Sequence, residues 1–289
     1  MYNINMEEVC ASCLDFDISK IVKSDNNLKP KWLHEHNYVI EFINSNSNNF
    51  KNKITSNYNT SLTVNLGQNH SGKKILYWAS DEKKNTNPVV LDAKNAYNNF
   101  SNHGICTINS KGDATFKLRC PQIYNTIGFN KKKEQSYFRH MHFVVSNKEK
   151  TKWESQIFTK LVICKYDYNK TMKLFKTGNY VLINSLPSEY YAQDHIPNSF
   201  NLFHKDIKKM SQSKLSEWFS NVIKLHYPNL HTLLKNKKIN IREIPIITYC
   251  AHNKCNASQL AVEELLKKGF VNINEYPGGM KDYRNKSKN

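Results

Sequence analysis

The stretch Ile246–Ser258, Ile-Ile-Thr-Tyr-Cys-Ala-His-Asn-Lys-Cys-Asn-Ala-Ser, decides the fold of the second half of this chain. Its first four residues are apolar and β-prone, follow Pro245, and predict a buried strand of a parallel sheet. The residues from Asn256 to Lys268 place apolar side chains at helical spacing, which predicts an amphipathic helix. Asn256 is a favoured N-cap with Gln259 at the capping-box position, and Gly269 is a favoured C-terminal stop. A strand, a short loop and a helix in this order indicate an α/β domain.

Cys250 lies where the predicted strand meets the predicted loop. Helix-end N–H groups and the helix dipole stabilise negative charge at such a position, which predicts a thiolate with a lowered pKa. The loop would then be an anion-binding site that contains a nucleophile. The alternative interpretation is that Cys250 is a small apolar residue of the core, as a cysteine at a strand end usually is.

Several spaced motifs make the C-terminal region similar to the rhodanese-like family. They are Val181–Asn184, Ser188–Tyr190, His195–Ser199, Tyr249–Cys250, Ala261–Phe270 and Tyr276–Gly279, which follow the family's order of opening strand, "EY…HIP" segment, active loop and closing Gly-Gly turn. The resemblance implies an α/β rhodanese-like domain with a central parallel sheet over residues 169–289. It also implies a sulfurtransferase that carries sulfane sulfur as a persulfide on Cys250, with a sulfane-sulfur donor and a thiol acceptor as partners. Sulfur transfer of this kind requires no cofactor.

The resemblance gives the loop residues their roles. The substrate-binding residues would be Ala251, His252, Asn253, Lys254 and Asn256, with backbone N–H groups from Ala251 to Cys255 holding the anionic sulfur. Cys255 is the second catalytic candidate, as a thiol that releases sulfur from Cys250 or protects it from over-oxidation. Cys255 is equally explained as a small residue packed under the loop, and His252 as an exposed side chain.

The chain also departs from the family pattern. The family often has Asp and Arg where this chain has Asn184 and Leu186. A phosphatase relative on the same fold needs an Arg six residues after the cysteine, where its guanidinium clamps phosphate, but this chain has Asn256 there. The loop therefore argues against phosphatase chemistry, and Lys254 is its only cation.

Short β-prone segments at regular spacing predict a β-sandwich over residues 60–168. The predicted strands are Ser61–Leu66, Lys74–Ala79, Gly104–Ile108, Ala114–Leu118, His140–Val145 and Gln156–Cys164. The turn Asn109–Gly112 predicts that its two flanking strands pair as a hairpin. The whole chain is therefore predicted to have two folded domains, with a polar and partly helical N-terminal extension at residues 1–59.

His140 and His142 are predicted to share one face of a strand, so both imidazoles can reach one metal ion. The region resembles the sandwich of intradiol ring-cleavage dioxygenases in Ile75–Trp78, Gly112–Phe116, Pro121–Tyr124 and Arg139–Phe143. That resemblance implies a non-haem ferric iron held by Tyr97, Tyr124, His140 and His142, and phenolate and imidazole ligands suit Fe(III). The alternative is a metal-free sandwich with a structural or binding role.

Composition gives broader limits. The chain has 289 residues, a formal net charge of +18 and a pI of about 9.4, so nucleic acid is a permitted partner although no Arg-rich or aromatic motif supports it. There is no apolar run that would cross a membrane, and seven cysteines without a dense framework predict reduced thiols in a cytoplasmic or virion-packaged protein. Cys10, Cys13, His34 and His36 have zinc-ligand residue types, but nothing fixes their geometry, so chance spacing is the favoured interpretation.

Three functional hypotheses follow. The leading one is a sulfurtransferase acting through Cys250. The second is a catalytically dead rhodanese-like fold in a redox-regulated binding protein or a virion structural protein. The third is a fused non-haem iron oxygenase whose chemistry resides in the β-sandwich.

Overall fold

The computed structural model describes residues 22–23, 38–127 and 134–288, which fall into two compact units. The first unit extends to Lys83 and resumes at Leu91–Val162. The second contains Lys84–Val90 and everything from Ile163 onward. Short strands make up most of the first unit, whereas strands and helices alternate in the second.

The first unit contains ten strands among its described residues. They are β1 (Val22–Lys23), β2 (Thr60–Asn65), β3 (Lys74–Ala79), β4 (Leu91–Asp92), β5 (His103–Thr107), β6 (Asp113–Leu118), β7 (Tyr124–Ile127), β8 (Glu134–Tyr137), β9 (His140–Val145) and β10 (Phe158–Leu161). Its helices are α1 (Tyr38–Ser45) and α2 (Ala93–Tyr97), with 3-10 turns at Gln68–His70 and Asn98–Phe100.

These strands form three sheets. The largest has the order β1-β10-β9-β3-β5, and all of its neighbours are antiparallel. β2 pairs with β6, and β7 lies between β4 and β8. The aromatic rings of Tyr77 and Phe143 from the large sheet pack on Phe116 of β6, with centroids 5.2 and 5.4 Å away. The predicted antiparallel β structure is thus present, while its arrangement as a sandwich stays a prediction.

The predicted hairpin around Asn109–Gly112 is wrong. The turn itself forms, with Gly112 donating its N–H to the carbonyl of Asn109 at a φ of 85°. The two strands then separate, because β5 pairs with β3 and β6 pairs with β2. Each strand finds its hydrogen-bond partner far away in sequence, so the connection joins two sheets and does not close a hairpin.

Two further expectations concern the N-terminal region and the cysteines. Helix α1 lies within the extension predicted to be partly helical, whereas Cys10, Cys13, His34 and His36 lie outside the described residues. The expectation of reduced thiols is wrong for Cys120 and Cys164, which are disulfide-bonded. Cys106, Cys250 and Cys255 are free thiols.

The second unit is an α/β fold. Its strands are β11 (Val181–Asn184), β12 (Phe200–Asn201), β13 (Ile246–Tyr249) and β14 (Ile273–Tyr276). Its helices are α3 (Tyr168–Phe175), α4 (Ser188–Gln193), α5 (His204–Lys209), α6 (Gln212–His226), α7 (Pro228–Lys235), α8 (Ala257–Lys267) and α9 (Gly279–Lys286), with a 3-10 turn at Ile241–Glu243. The strands form one parallel sheet in the order β12-β11-β13-β14, which confirms the predicted central parallel sheet.

Alternate residues of β13 bury their side chains on opposite faces of this sheet. Ile247 and Tyr249 belong to an apolar cluster that also contains Met172 of α3 and Met280 of α9. Thr248 faces the other way, where its hydroxyl donates to the carbonyl of Ser258 in α8 at 3.1 Å. Because helices cover both faces, every residue of β11, β13 and β14 is buried.

Helix α8 begins and ends close to its predicted bounds, but its N-terminal cap differs. Asn256 occupies the N-cap position without a side-chain capping hydrogen bond. The amide of Gln259 bonds to Glu263 one turn later, so the predicted capping box is absent. Gly269 ends the helix at a φ of 82°, as predicted. Among the described residues, every helix is too short or too polar to span a bilayer.

Candidate active site around Cys250

Cys250 directly follows β13, the strand flanked by β11 and β14 in the parallel sheet. It shares a face with Thr248, so its side chain points toward the first turn of α8. The Cys250 loop, defined here as residues 251–255, then crosses over it. The exposed residues of this loop are His252, Asn253 and Lys254, and Ala251 and Cys255 are half-buried. Asn256, which follows the loop, is exposed.

The sulfur of Cys250 is sealed beneath this loop, because the residue is 0% exposed. Burial, followed by the neighbouring thiol of Cys255, raises the pKa of Cys250 to about 11, although hydrogen bonding with Ser258 lowers it in part. The predicted low-pKa thiolate is therefore wrong for this conformation. Removal of solvent water outweighs the helix dipole because a buried anion loses its hydration.

The polar contacts of the Cys250 sulfur also disfavour its thiolate form. The thiol of Cys250 lies 3.3 Å from the carbonyl oxygen of Cys255 and 3.8 Å from that of His252. These are acceptors for an S–H group, and their negative ends disfavour a thiolate. The backbone N–H groups of Lys254 and Cys255 instead bond to the ring and the carbonyl of His252. In the described structure, two carbonyl groups of the loop region therefore face the sulfur, and the N–H cradle stays a prediction.

The first turn of α9 holds the start of this loop in place. The N–H of Met280 donates to the carbonyl of Cys250, and the N–H of Lys281 donates to that of Ala251, each at 2.9 Å. This approach needs a glycine, since a Cβ on Gly279 would lie 2.2 Å from the oxygen of Cys250. Gly279 also has a φ of 58°, a region that glycine adopts without strain.

Two buried polar residues complete the surroundings of the sulfur, and the sequence reasoning missed both. Ser258 in α8 places its hydroxyl oxygen 3.4 Å from the sulfur of Cys250 and donates to a carboxylate oxygen of Glu275 at 2.7 Å. Ser258 is 0% exposed and Glu275 is 3% exposed. The available signal was a carboxylate in a segment that reads as a buried strand, because a buried charge requires a partner.

The four predicted metal ligands converge in the first unit, and we call them the Tyr-His cluster: Tyr97, Tyr124, His140 and His142. Tyr97 ends α2, Tyr124 begins β7, and the two histidines lie on β9. The two phenol oxygens are 3.4 Å apart, and that of Tyr124 is 2.9 Å from Nε2 of His140. The imidazole rings have centroids 4.7 Å apart.

Burial keeps both histidines of this cluster neutral. It lowers the pKa of His140 to about 4 and the pKa of His142 well below its ordinary value. His140 donates Nδ1–H to the carbonyl of Phe138, which leaves Nε2 as an acceptor toward Tyr124. Nε2 of His142 is buried without a hydrogen-bond partner, whereas its Nδ1 contacts the hydroxyl of Thr159 at 2.8 Å. A neutral imidazole with an unsatisfied nitrogen, next to the ring of His140, has the chemistry of a cation ligand.

Comparison with known proteins bears on the second unit. Residues 167–286 match the family model of the Rhodanese-like domain. No curated protein shows significant sequence similarity to the chain.

Solved structures with some similarity include two from Saccharomyces cerevisiae and one human protein. An uncharacterized yeast protein is 22% identical, with 43% of this chain and 92% of that chain covered at a TM-score of 0.31. A human single-domain sulfurtransferase is 13% identical (43% and 98%, TM-score 0.32), and a yeast single-domain sulfurtransferase is 14% identical (43% and 91%, TM-score 0.31).

Proposed function

Because residues 167–286 form a rhodanese-like domain, we propose that this chain is a sulfurtransferase that carries sulfane sulfur on Cys250. The carrying observation is the position of Cys250, at the end of the central strand β13 and under a loop that leads into α8. A sulfane donor would give its outer sulfur to Cys250, and a thiol acceptor would remove it. Cys255 follows on the same loop and would be the nearest internal thiol for the second step.

The buried state of the sulfur sets two requirements on this function. Because burial raises the pKa of Cys250, the thiol is protonated at neutral pH, and its proton must be removed as the donor reacts. The donor must also reach the sulfur. The exposed side chains of His252, Asn253 and Lys254 place the covering loop at the surface of the unit, where displacement breaks few packing contacts.

The test is the mass of the intact protein and of its Cys250 peptide after incubation with thiosulfate. We expect one added sulfur, released by cyanide, on wild type and none on Cys250→Ser. Cys106→Ser is the matched control, because Cys106 is also free and its pKa is raised to about 12 by burial. If wild type takes up no sulfur, or takes up as much as Cys250→Ser, the dead-fold hypothesis replaces this one.

A second candidate function is favoured by the Tyr-His cluster. We propose that it binds ferric iron through Tyr97, Tyr124, His140 and His142, within a β-sandwich of the kind the sequence predicts. The neutral, partly unsatisfied imidazoles support this proposal, since a metal ligand must be deprotonated. When bound, the ion would supply the ring-cleavage oxygen chemistry that the resemblance implies. The protein groups would hold the ion in a site closed to bulk water, because all four residues are buried.

Iron binding is checked by metal analysis and visible absorption after reconstitution with ferric iron. We expect a tyrosinate-to-iron band in wild type and its loss in Tyr124→Phe. Tyr58→Phe is the control, because Tyr58 is 44% exposed in the same unit. A colourless wild-type protein without stoichiometric iron would dismiss this candidate and leave the cluster with a structural role.

A further inference from the structure

A continuous polar chain leads from the sulfur of Cys250 into the core of the second unit. The sulfur is 3.4 Å from the hydroxyl of Ser258, and that hydroxyl donates to Oε1 of Glu275 at 2.7 Å. Three elements supply the three groups: the end of β13, the first turn of α8, and β14. All three residues are at most 3% exposed.

The direction of these hydrogen bonds follows from the number of protons. Ser258 has one hydroxyl proton, which it gives to Glu275. Its oxygen can therefore accept on the side of Cys250, and the single S–H proton has two acceptors within 3.4 Å, the hydroxyl of Ser258 and the carbonyl of Cys255. When the S–H group is turned to Ser258, a proton can leave the sulfur as a second proton reaches Glu275.

The other groups around Glu275 define its electrostatic setting. The ammonium nitrogen of Lys165 lies 3.7 Å from Oε2, and Lys165 is 60% exposed. Oε2 is buried without a hydrogen-bond partner, so one carboxylate oxygen keeps capacity to hold a proton. On the side of the loop, the titratable groups are the thiols of Cys250 and Cys255, and the thiol of Cys255 raises the pKa of Cys250.

We propose that Ser258 and Glu275 remove the proton of Cys250 while its sulfur attacks the sulfane donor, a step that rests on the proposed sulfurtransferase function. Ser258 would contact the reacting sulfur, and Glu275 would act through Ser258 as a positioning residue and proton acceptor. This gives the otherwise unexplained carboxylate of β14 a role in the reaction.

The step balances with thiosulfate as donor. The sulfur of Cys250 bonds to the outer sulfur of thiosulfate, whose bond to the inner sulfur breaks, and sulfite leaves with the electron pair. The S–H proton passes to Ser258 as the Ser258 proton passes to Glu275, which yields an anionic Cys250 persulfide and a neutral carboxyl group. An S–H group becomes acidic as its sulfur forms the new bond, so no free thiolate is required. When an acceptor thiolate removes the outer sulfur, the proton returns from Glu275 to Cys250.

The test is the pH profile of Cys250 alkylation by iodoacetamide, followed by mass spectrometry of the Cys250 peptide. We expect wild type to show a plateau of reactivity through neutral pH and a further rise where the thiol itself ionises. Glu275→Gln should lose the plateau, with reactivity at pH 7 reduced by about 100-fold. Ser258→Ala should do the same, and Glu263→Gln, an acidic-residue control on the outer part of α8, should match wild type.

Other outcomes overturn the proposal. An unchanged pH profile in Glu275→Gln would show that the carboxylate takes no proton from the sulfur. Faster alkylation of Glu275→Gln than of wild type at pH 7 would show that the carboxylate only repels a negatively charged sulfur. A structural role would lower reactivity by the same factor at every pH. If both variants unfold, the wild-type profile still decides, because a rise only at alkaline pH refutes the relay. Alkylation needs no sulfur donor, so failure here is separate from failure of thiosulfate loading.

Discussion

At the scale of single residues, Cys250 separates what a sequence can specify from what it cannot. Its place after an apolar strand and before a helix follows from local pattern, since Pro245, Gly269 and the apolar spacing define both elements. The protonation of its sulfur depends on what surrounds it. The carbonyl oxygens of His252 and Cys255 and the chain to Glu275 arise from loop conformation and strand neighbours, which no local pattern encodes.

Gly279 offers a prediction at the same scale. Gly279→Ala should reduce the free energy of unfolding of the second unit by at least about 3 kcal/mol, because it combines backbone strain with a clash against the carbonyl of Cys250. Gly178→Ala is the matched control: its φ is 69°, but a Cβ there meets nothing within 4 Å. That change should cost about 1 kcal/mol.

Urea denaturation of both variants checks this difference. Equal losses would show that the turn adjusts freely and that the contact with Cys250 does not restrain the loop. The Gly279→Ala protein should also alkylate faster at Cys250 if the loop opens when its anchor is displaced.

At the scale of elements, local patterns located strands and helices better than they located partners. β3 and β9 have the predicted bounds, and α8 lies close to its own, because alternation and helical spacing are properties of contiguous residues. The pairing of β5 with β3 rather than β6 depends on residues about thirty positions apart. The convergence of the Tyr-His cluster likewise required four residues from three elements, and it was reached through resemblance rather than spacing.

Asp81 joins several elements of the first unit. It follows β3 and accepts hydrogen bonds from Arg119 after β6, from Asn98 in a 3-10 turn and from Ser101. Burial alone would raise the pKa of Asp81, but the guanidinium of Arg119 and the two further donors outweigh it and lower the pKa from 3.8. The unfolded chain therefore binds a proton more readily than the folded one as the pH falls toward and below 3.8.

This linkage predicts the pH dependence of stability. The contribution of Asp81 is fully present above about pH 5 and is lost as the pH decreases through 3.8, by at most about 1.4 kcal/mol per pH unit. Asp81→Asn should cost about 3 kcal/mol at pH 7 because Arg119 loses its partner. Its stability should also vary less between pH 5 and pH 3 than that of wild type.

Chemical denaturation at a series of pH values measures both effects. Asp113→Asn, at the start of β6, is the control and should keep the wild-type slope. If Asp81→Asn keeps that slope as well, the carboxylate does not titrate in the expected range and the ion pair contributes little.

At the scale of the whole molecule, the sequence changes from segments with strand alternation to segments in which strands and helices follow one another. This change indicates two folds, and the structure contains mostly antiparallel sheets followed by a parallel one. The boundary between the two units was harder to predict from the sequence. The structure begins the second unit at Ile163 and adds the distant segment Lys84–Val90. The side-chain amide of Asn179 donates to the carbonyl of Thr86 in this segment at 3.1 Å, and no composition signal marks the segment in the sequence.

That segment has a consequence for how the protein is made. Thr86 leaves the ribosome 93 positions before Asn179, the residue that will bond to its carbonyl. During synthesis, residues 84–90 therefore emerge between two parts of the first unit, well before the rest of the unit they belong to is translated. Stalling or truncation before Asn179 would leave that stretch exposed to chaperones and proteases, since it has no completed unit to join.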